Sequence, residues 1–196
     1  MEAITGMAVG DARPDLTGDD AAVVFTRLFD SHADGIHRYL TRRAGPAAAD
    51  DLVAETFVAA WAGRVGYDPA RADVRPWLFG IATNLLRAHW REETRSLRLA
   101  ARVGDQPLEP PEDPDDTAIR RADADADVRG LAAALSDLPA ADREVLLLTA
   151  WAELTAVEVA EVLGIPAGTV RSRLHRVRRT LRATAPALAA RVEETT

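Results

Sequence analysis

The chain has 196 residues, 47% of them hydrophobic, which is enough for one ordinary domain or two small ones with packed cores. It has no cysteine, which excludes disulfides, thiol redox sensing and cysteine-ligated zinc. Its formal net charge is −7, with 24 basic residues against 31 acidic ones, so any anion-binding surface has to be concentrated locally.

Residues 1–20 contain no basic segment followed by an apolar run, so they are expected to be a disordered N-terminal segment and not a signal peptide. "VVFTRLFDSHADGIHRYLTRRAG" (23–45) predicts a first helix, with Gly35 as a candidate break. "PAAADDLVAETFVAAWAG" (46–63) predicts a second. There Leu52, Val53, Phe57, Ala60 and Trp61 can face a core, and Asp50, Asp51 and Glu55 leave an acidic surface. A loop follows, with Gly66 and Pro69. "PWLFGIATNLLRAHWREETRSLRLAARV" (76–103) predicts a long third helix, with Trp77, Leu78, Ile81, Ala82 and Leu85 on its buried side. Asn84, Arg87 and Arg91 project elsewhere, and Arg95, Arg98 and Arg102 extend the positive charge. Trp90 stands among these arginines, open to either a packing or a surface role.

Residues 105–127 hold nine acids and two arginines, a net of −7 that equals the charge of the whole chain, together with four of its eleven prolines. Such a composition cannot bury a core. It predicts an acidic flexible linker over 103–128, dividing an N-terminal unit (21–102) from a C-terminal unit (129–185), with 186–196 as a tail.

The C-terminal unit opens on a supporting helix in "LPAADREVLLLTAWA" (138–152). The apolar run inside it is far short of the ~20 residues that span a bilayer. In "LTAVEVAEVLG" (154–164), Thr155 and Glu158 fit a capping box and Gly164 suits a left-handed helix end. Pro166 can open the next helix. Within "GTVRSRLHRVRRTLR" (168–182), Val170, Leu174, Val177 and Leu181 recur on one stripe, and Ser172, His175, Arg176 and Arg179 lie opposite. Two short helices joined by a tight glycine turn, the second with basic side chains outward, predict a helix-turn-helix that enters a DNA major groove. A run of charge alone usually marks a solvated face. Here the cap, the turn and the outward arginines coincide.

The stretches "DDLVAETFVAAW" (50–61), "RPWLFGIATNLLRAHWR" (75–91), "LPAADREVLLL" (138–148) and "LTAVEVAEVLGIPAGTVRSRLHRVRRTLR" (154–182) together resemble a bacterial sigma factor of the sigma-70 family, extracytoplasmic-function group. The resemblance implies an all-α fold, with a sigma-two helical bundle and a sigma-four helix-turn-helix joined by the linker. It implies that the chain binds core RNA polymerase, through the β′ clamp and the β subunit, and directs it to promoter DNA. On it, Asp51 and Glu55 contact the polymerase. Phe79, Thr83, Asn84, Arg87 and Arg91, with the loop 67–73, read and melt the −10 element. Thr169, Arg171, Ser172, Arg173, His175, Arg176 and Arg179 read the −35 element. Ala54 stands where family members often carry Gln, and Gly80 where many carry Arg. An anti-sigma factor partner is implied as well.

The alternative, a stand-alone helix-turn-helix regulator, would need a receiver or ligand domain, and 21–102 lacks alternating strands. An enzyme is not expected, because there is no glycine-rich phosphate loop and no nucleophile–base arrangement. His32, His37, His89 and His175 lack metal-ligand spacing, so no metal and no cofactor is expected. A cytoplasmic protein with no membrane insertion is expected.

Overall fold

A computed structural model describes residues 12–104, 135 and 137–184; the expected linker core and C-terminal tail lie outside them. Among the described residues, six α-helices and one 3-10 turn follow in order: α1 (Ala21–Ala44), α2 (Pro46–Gly63), the turn Arg64–Gly66, α3 (Val74–Gly104), α4 (Ala140–Ala150), α5 (Ala156–Leu163) and α6 (Ala167–Thr184). No strand occurs among the described residues.

A single residue, Gly45, joins α1 to α2. Its φ of 84° is glycine territory, its N–H closes on the carbonyl of Thr41, and Pro46 starts α2. The chain therefore turns back at once. Phe25 meets Trp61 at 5.0 Å, Phe29 meets Phe57 at 4.8 Å, and His37 bonds Asp50 at 3.0 Å, a ladder that defines an antiparallel pair. Gly35 does not break α1, which is continuous through it. A mid-helix glycine costs only about 1 kcal/mol relative to alanine, and the packed neighbours Ile36, Tyr39 and Leu40 outweigh that.

α3 lies across this pair. Its most buried residues are Val74, Leu78, Phe79, Ala82, Thr83, Leu86 and Trp90, whereas Trp77, Ile81 and Leu85 are only half-buried. The sequence-derived stripe is thus rotated, and the reason is tertiary. α3 packs against α1 and α2 on one side and α5 on another, so its apolar surface is wider than one amphipathic face.

The expected disorder of the N-terminal segment is corrected for residues 12–20. Leu16 is 2% exposed, the Ala12 carbonyl accepts from Val74 N–H, and Arg13 pairs with Asp73, so this stretch straps the start of α3. Residues 1–11 lie outside the described residues.

In the C-terminal unit every residue from Asp142 to Leu148 is buried. α4 is therefore its central helix, enclosed by α5, α6 and the first unit. Arg143 anchors the approach to α4 by donating to the carbonyls of Leu135 (2.8 Å) and Leu138 (3.1 Å). A single hydrophobic core runs from Leu16 and Tyr39 through Leu78 to Val145, Leu154, Val159 and Leu174, crossing both units. A smaller cluster of Leu135, Leu138, Leu146, Val177 and Leu181 lies under α6.

Candidate nucleic-acid interface

The helix-turn-helix forms as its local chemistry dictates. Thr155 Oγ1 accepts from Glu158 N–H at 3.3 Å, and Glu158 accepts from Thr155 N–H at 2.8 Å, completing the capping box. Gly164 ends α5 at φ 64°, and Ile165 N–H returns to the Ala160 carbonyl. Val170, Leu174, Val177 and Leu181 are all buried, so the stripe fixes the rotation of α6. Each such side chain contributes about 1.5–3 kcal/mol on burial. The opposite face is left to solvent: Arg171, Ser172, His175, Arg176 and Arg179 are exposed, and Thr169 and Arg173 are half-buried. Ser172 Oγ donates to the Thr169 carbonyl at 2.9 Å.

Two of these arginines are held from below. Arg176 Nε and Nη2 donate to the two Asp142 oxygens at 2.6 and 2.7 Å, and Arg173 Nε lies 3.8 Å from the same carboxylate. The Asp142 side chain is 2% exposed and that of Arg176 is 55% exposed, so a buried anion on α4 orients a surface cation on α6. The hydrogen bond to Asp142, and then its charge, hold the Arg176 guanidinium above its ordinary pKa. The pairing uses two of the guanidinium's five N–H donors and leaves the rest for a ligand. Nothing in the spacing of the sequence marks Asp142 as the partner, since the contact spans 34 residues.

The groups assigned to the −10 element are distributed differently. Asn84 and Arg91 are exposed and Arg87 is half-buried. Phe79 and Thr83 are 2% and 1% exposed. Phe79 packs edge-on against Tyr39 at 5.6 Å, and Thr83 Oγ1 lies 3.3 Å from Tyr39 Oη. Their expected display to a ligand is therefore not met in this arrangement, because α3 turns them toward Tyr39 of α1. In the loop, Tyr67 packs on Trp77 and donates to the Ala72 carbonyl. Burial, reinforced by Asp73, pushes its phenol up to about 12.

Sequence reasoning missed three further arginine contacts. Arg43 is buried in the first unit, with Tyr39 Oη, the Trp90 ring and Glu144 around it. Arg87 Nη2 approaches the other Glu144 oxygen at 3.5 Å. Arg75 donates to the carbonyls of Ala152 (2.7 Å) and Glu153 (3.2 Å) and pairs with Glu158.

On α2, Asp51 and Glu55 are both exposed. Helical spacing puts Val58, 70% exposed, on the same face, with Phe29 and Trp61 also partly uncovered on the α1–α2 pair. The result is a mixed acidic and apolar strip, of which the sequence indicated only the acidic part.

Comparison with known proteins agrees with this two-unit layout. Residues 28–96 match the Sigma-70 region 2 family, and residues 129–181 match Sigma-70, region 4. The chain is 37% identical over 183 residues to the ECF RNA polymerase sigma factor SigE of Mycolicibacterium smegmatis, covering 91% of this chain and 66% of that protein. It is 35% identical over 164 residues to the ECF RNA polymerase sigma factor SigL of Mycobacterium tuberculosis, covering 83% of this chain and 89% of that one. Among solved structures, CnrH in complex with the cytosolic domain of CnrY superposes with a TM-score of 0.58 at 28% identity, covering 85% of this chain and 90% of the other. With both regions present in order, and with relatives matched along most of their length, the chain belongs to the sigma-70 family of RNA polymerase sigma factors, in its extracytoplasmic-function group.

Proposed function

We propose that the chain joins core RNA polymerase through the strip containing Asp51 and Glu55, reads the −35 element with the outer face of α6, and reads the −10 element with α3 and the loop 67–73. The observation that carries this reading is the pairing, in one chain, of a capped helix-turn-helix whose arginines face outward with a second helical unit that exposes an acidic strip. On α6, Arg171, Ser172, His175 and Arg179 are free to approach base edges or phosphates, and Thr169 and Arg173 flank them. On α3, Asn84 and Arg91 are accessible at once, Arg87 is half-buried beside Glu144, and Phe79 and Thr83 are packed against Tyr39 of α1. The role needs no catalytic residue in this chain, because bond formation belongs to the polymerase. It places the protein in the cytoplasm, and no described helix is long and apolar enough to cross a membrane. CnrH was solved with the cytosolic domain of CnrY, and an anti-sigma partner of that kind fits this chain.

The experiment is a pull-down with core polymerase using Asp51→Arg/Glu55→Arg. The double variant keeps the helical signal of the parent and loses most of its retention on the enzyme. Undiminished retention of the folded variant contradicts the assignment.

A further inference from the structure

The loop assigned to the −10 element is held at both ends, and the hold on its far end comes from a stretch that precedes α1. At the near end Tyr67 is buried, its ring packs on Trp77 at 4.9 Å, and its Oη donates to the Ala72 carbonyl at 3.0 Å. Asp68 Oδ1 accepts from Ala70 N–H at 2.9 Å, and the Asp68 carbonyl accepts from Arg71 N–H at 3.0 Å, a turn supported by its own side chain. The tip formed by Asp68, Ala70 and Arg71 stays exposed. At the far end Asp73 immediately precedes α3, the place where a carboxylate ordinarily caps the N–H of the second or third helical residue. The third helical residue here is Pro76, which has no N–H. The Asp73 carboxylate instead accepts from Arg13 Nε at 2.5 Å, 60 residues earlier, and the Val74 N–H goes to the Ala12 carbonyl at 2.8 Å. The start of α3 is thus capped from outside the helix.

The strap has the local chemistry to keep that position. Pro14 fixes its own φ and biases Arg13 toward extended backbone. Asp15 Oδ1 accepts from the N–H of Thr17 at 2.8 Å and from its Oγ1 at 2.7 Å, a tight turn with Leu16 at its centre. Leu16 enters the same core as Tyr67, Val74 and Leu78. Ala21 N–H returns to the Gly18 carbonyl at 3.0 Å, so the chain passes from this anchor into α1. The Arg13 and Asp73 side chains are 51% and 41% exposed, so their pair adds little to global stability. What it governs is where an exposed loop ends and a helix begins.

We propose that residues 12–16 position the −10 reading loop, with Arg13 as the positioning residue. Arg13 and the Ala12 carbonyl fix the end of the loop at α3, and Leu16 ties them to the core. The exposed tip is thereby presented in one arrangement, as a reading loop on a rigid scaffold requires. Selectivity at the −10 element then depends on a side chain that touches no DNA. The proposal rests on the assignment of loop 67–73 to the −10 element, but the hold on the loop is tested without polymerase or DNA.

Arg13→Ala and Arg13→Lys are compared with the parent as full chains. Because Arg13 is exposed, both variants keep the parental circular dichroism and urea midpoint. Hydrogen exchange, read by mass spectrometry on a peptide spanning 66–76, reports on the loop itself. Arg13→Ala exchanges about threefold faster there, the scale of one partly exposed ion pair, whereas Arg13→Lys keeps the charge and stays near the parent. A peptide from α6 is unaffected. Unchanged exchange over 66–76 in Arg13→Ala overturns the positioning role. Transcription in vitro with core polymerase, on a panel of −10 and −35 base substitutions, then reads the consequence. Arg13→Ala discriminates among −10 sequences about threefold less well, by the same pair, and responds to −35 substitutions as the parent does. Arg13→Lys recovers most of the −10 discrimination. An unaltered −10 response in Arg13→Ala overturns the selectivity claim, and so does an equal loss at both elements, which is what a general weakening of the fold would give. A parent chain indifferent to every −10 substitution contradicts the reading of the loop instead, and the exchange result still decides whether the strap holds it.

Discussion

Asp142 and His32 show how single side chains set the behaviour of this protein. Asp142 is nearly inaccessible, yet it serves α6, a helix whose outer face is assigned to DNA. Replacing it with Ala frees Arg173 and Arg176 and removes a charge-assisted pair. Urea unfolding is expected to show a loss of about 1–2 kcal/mol, at the low end for charged hydrogen bonds because Arg176 is more than half exposed. DNA binding then weakens although Asp142 itself touches no DNA. Truncating Arg171, which is exposed, leaves stability unchanged and weakens discrimination at −35 by about 1–3 kcal/mol if its contact is a bidentate base pairing. A panel of −35 base substitutions transcribed by the parent and by Arg171→Ala checks this, and identical responses contradict it. His32 gives a pH dependence. Burial, and then the charge of Arg75, lower its pKa below the ordinary 6.5. The unfolded chain therefore takes up its proton first, and this part of the stability is present above pH 6.5 and lost as pH falls through the folded value. The urea midpoint is expected to drop between pH 7.5 and 5, and less so in His32→Gln.

At the scale of elements, α5 is the part most fully legible in the sequence. The capping box, the Gly164 turn and the α6 stripe depend on residues within a few positions of one another, and each forms as read. Thr155→Ala is expected to cost about 1 kcal/mol in unfolding free energy through the lost cap. Thr155→Ser should cost much less, and equal losses would contradict a capping role. α3 was less legible for a physical reason. Periodicity gives one apolar face per helix, but α3 is covered on two sides. Which of Trp77, Phe79 or Thr83 is innermost depends on neighbours that local sequence does not name. The strap at 12–20 was missed on similar grounds, since one leucine among polar residues gives no period, and its burial depends on the start of α3.

At the scale of the whole molecule, the two matched regions were readable, because each carries several local signatures in a fixed order. Their mutual placement was not. It depends on Arg43, Arg75, Arg87 and Glu144, pairs separated by 57 to 101 residues whose side chains look like ordinary surface charge in the sequence. The helix-turn-helix arginines are proposed to answer to a local DNA ligand, whereas these answer to another part of the same chain. The same separation explains how an acidic protein can bind DNA: its net charge of −7 is matched by residues 105–127 alone, and the folded units keep their arginines in patches. The central claim is that this chain selects promoters for RNA polymerase, and the most direct measurement is transcription in vitro with purified core enzyme on a genomic template library, with start sites mapped. Adding the chain should create a set of new start sites aligned on two shared sequence elements near −35 and −10. A start-site distribution identical to that of core enzyme alone, from a chain that is folded, would contradict it.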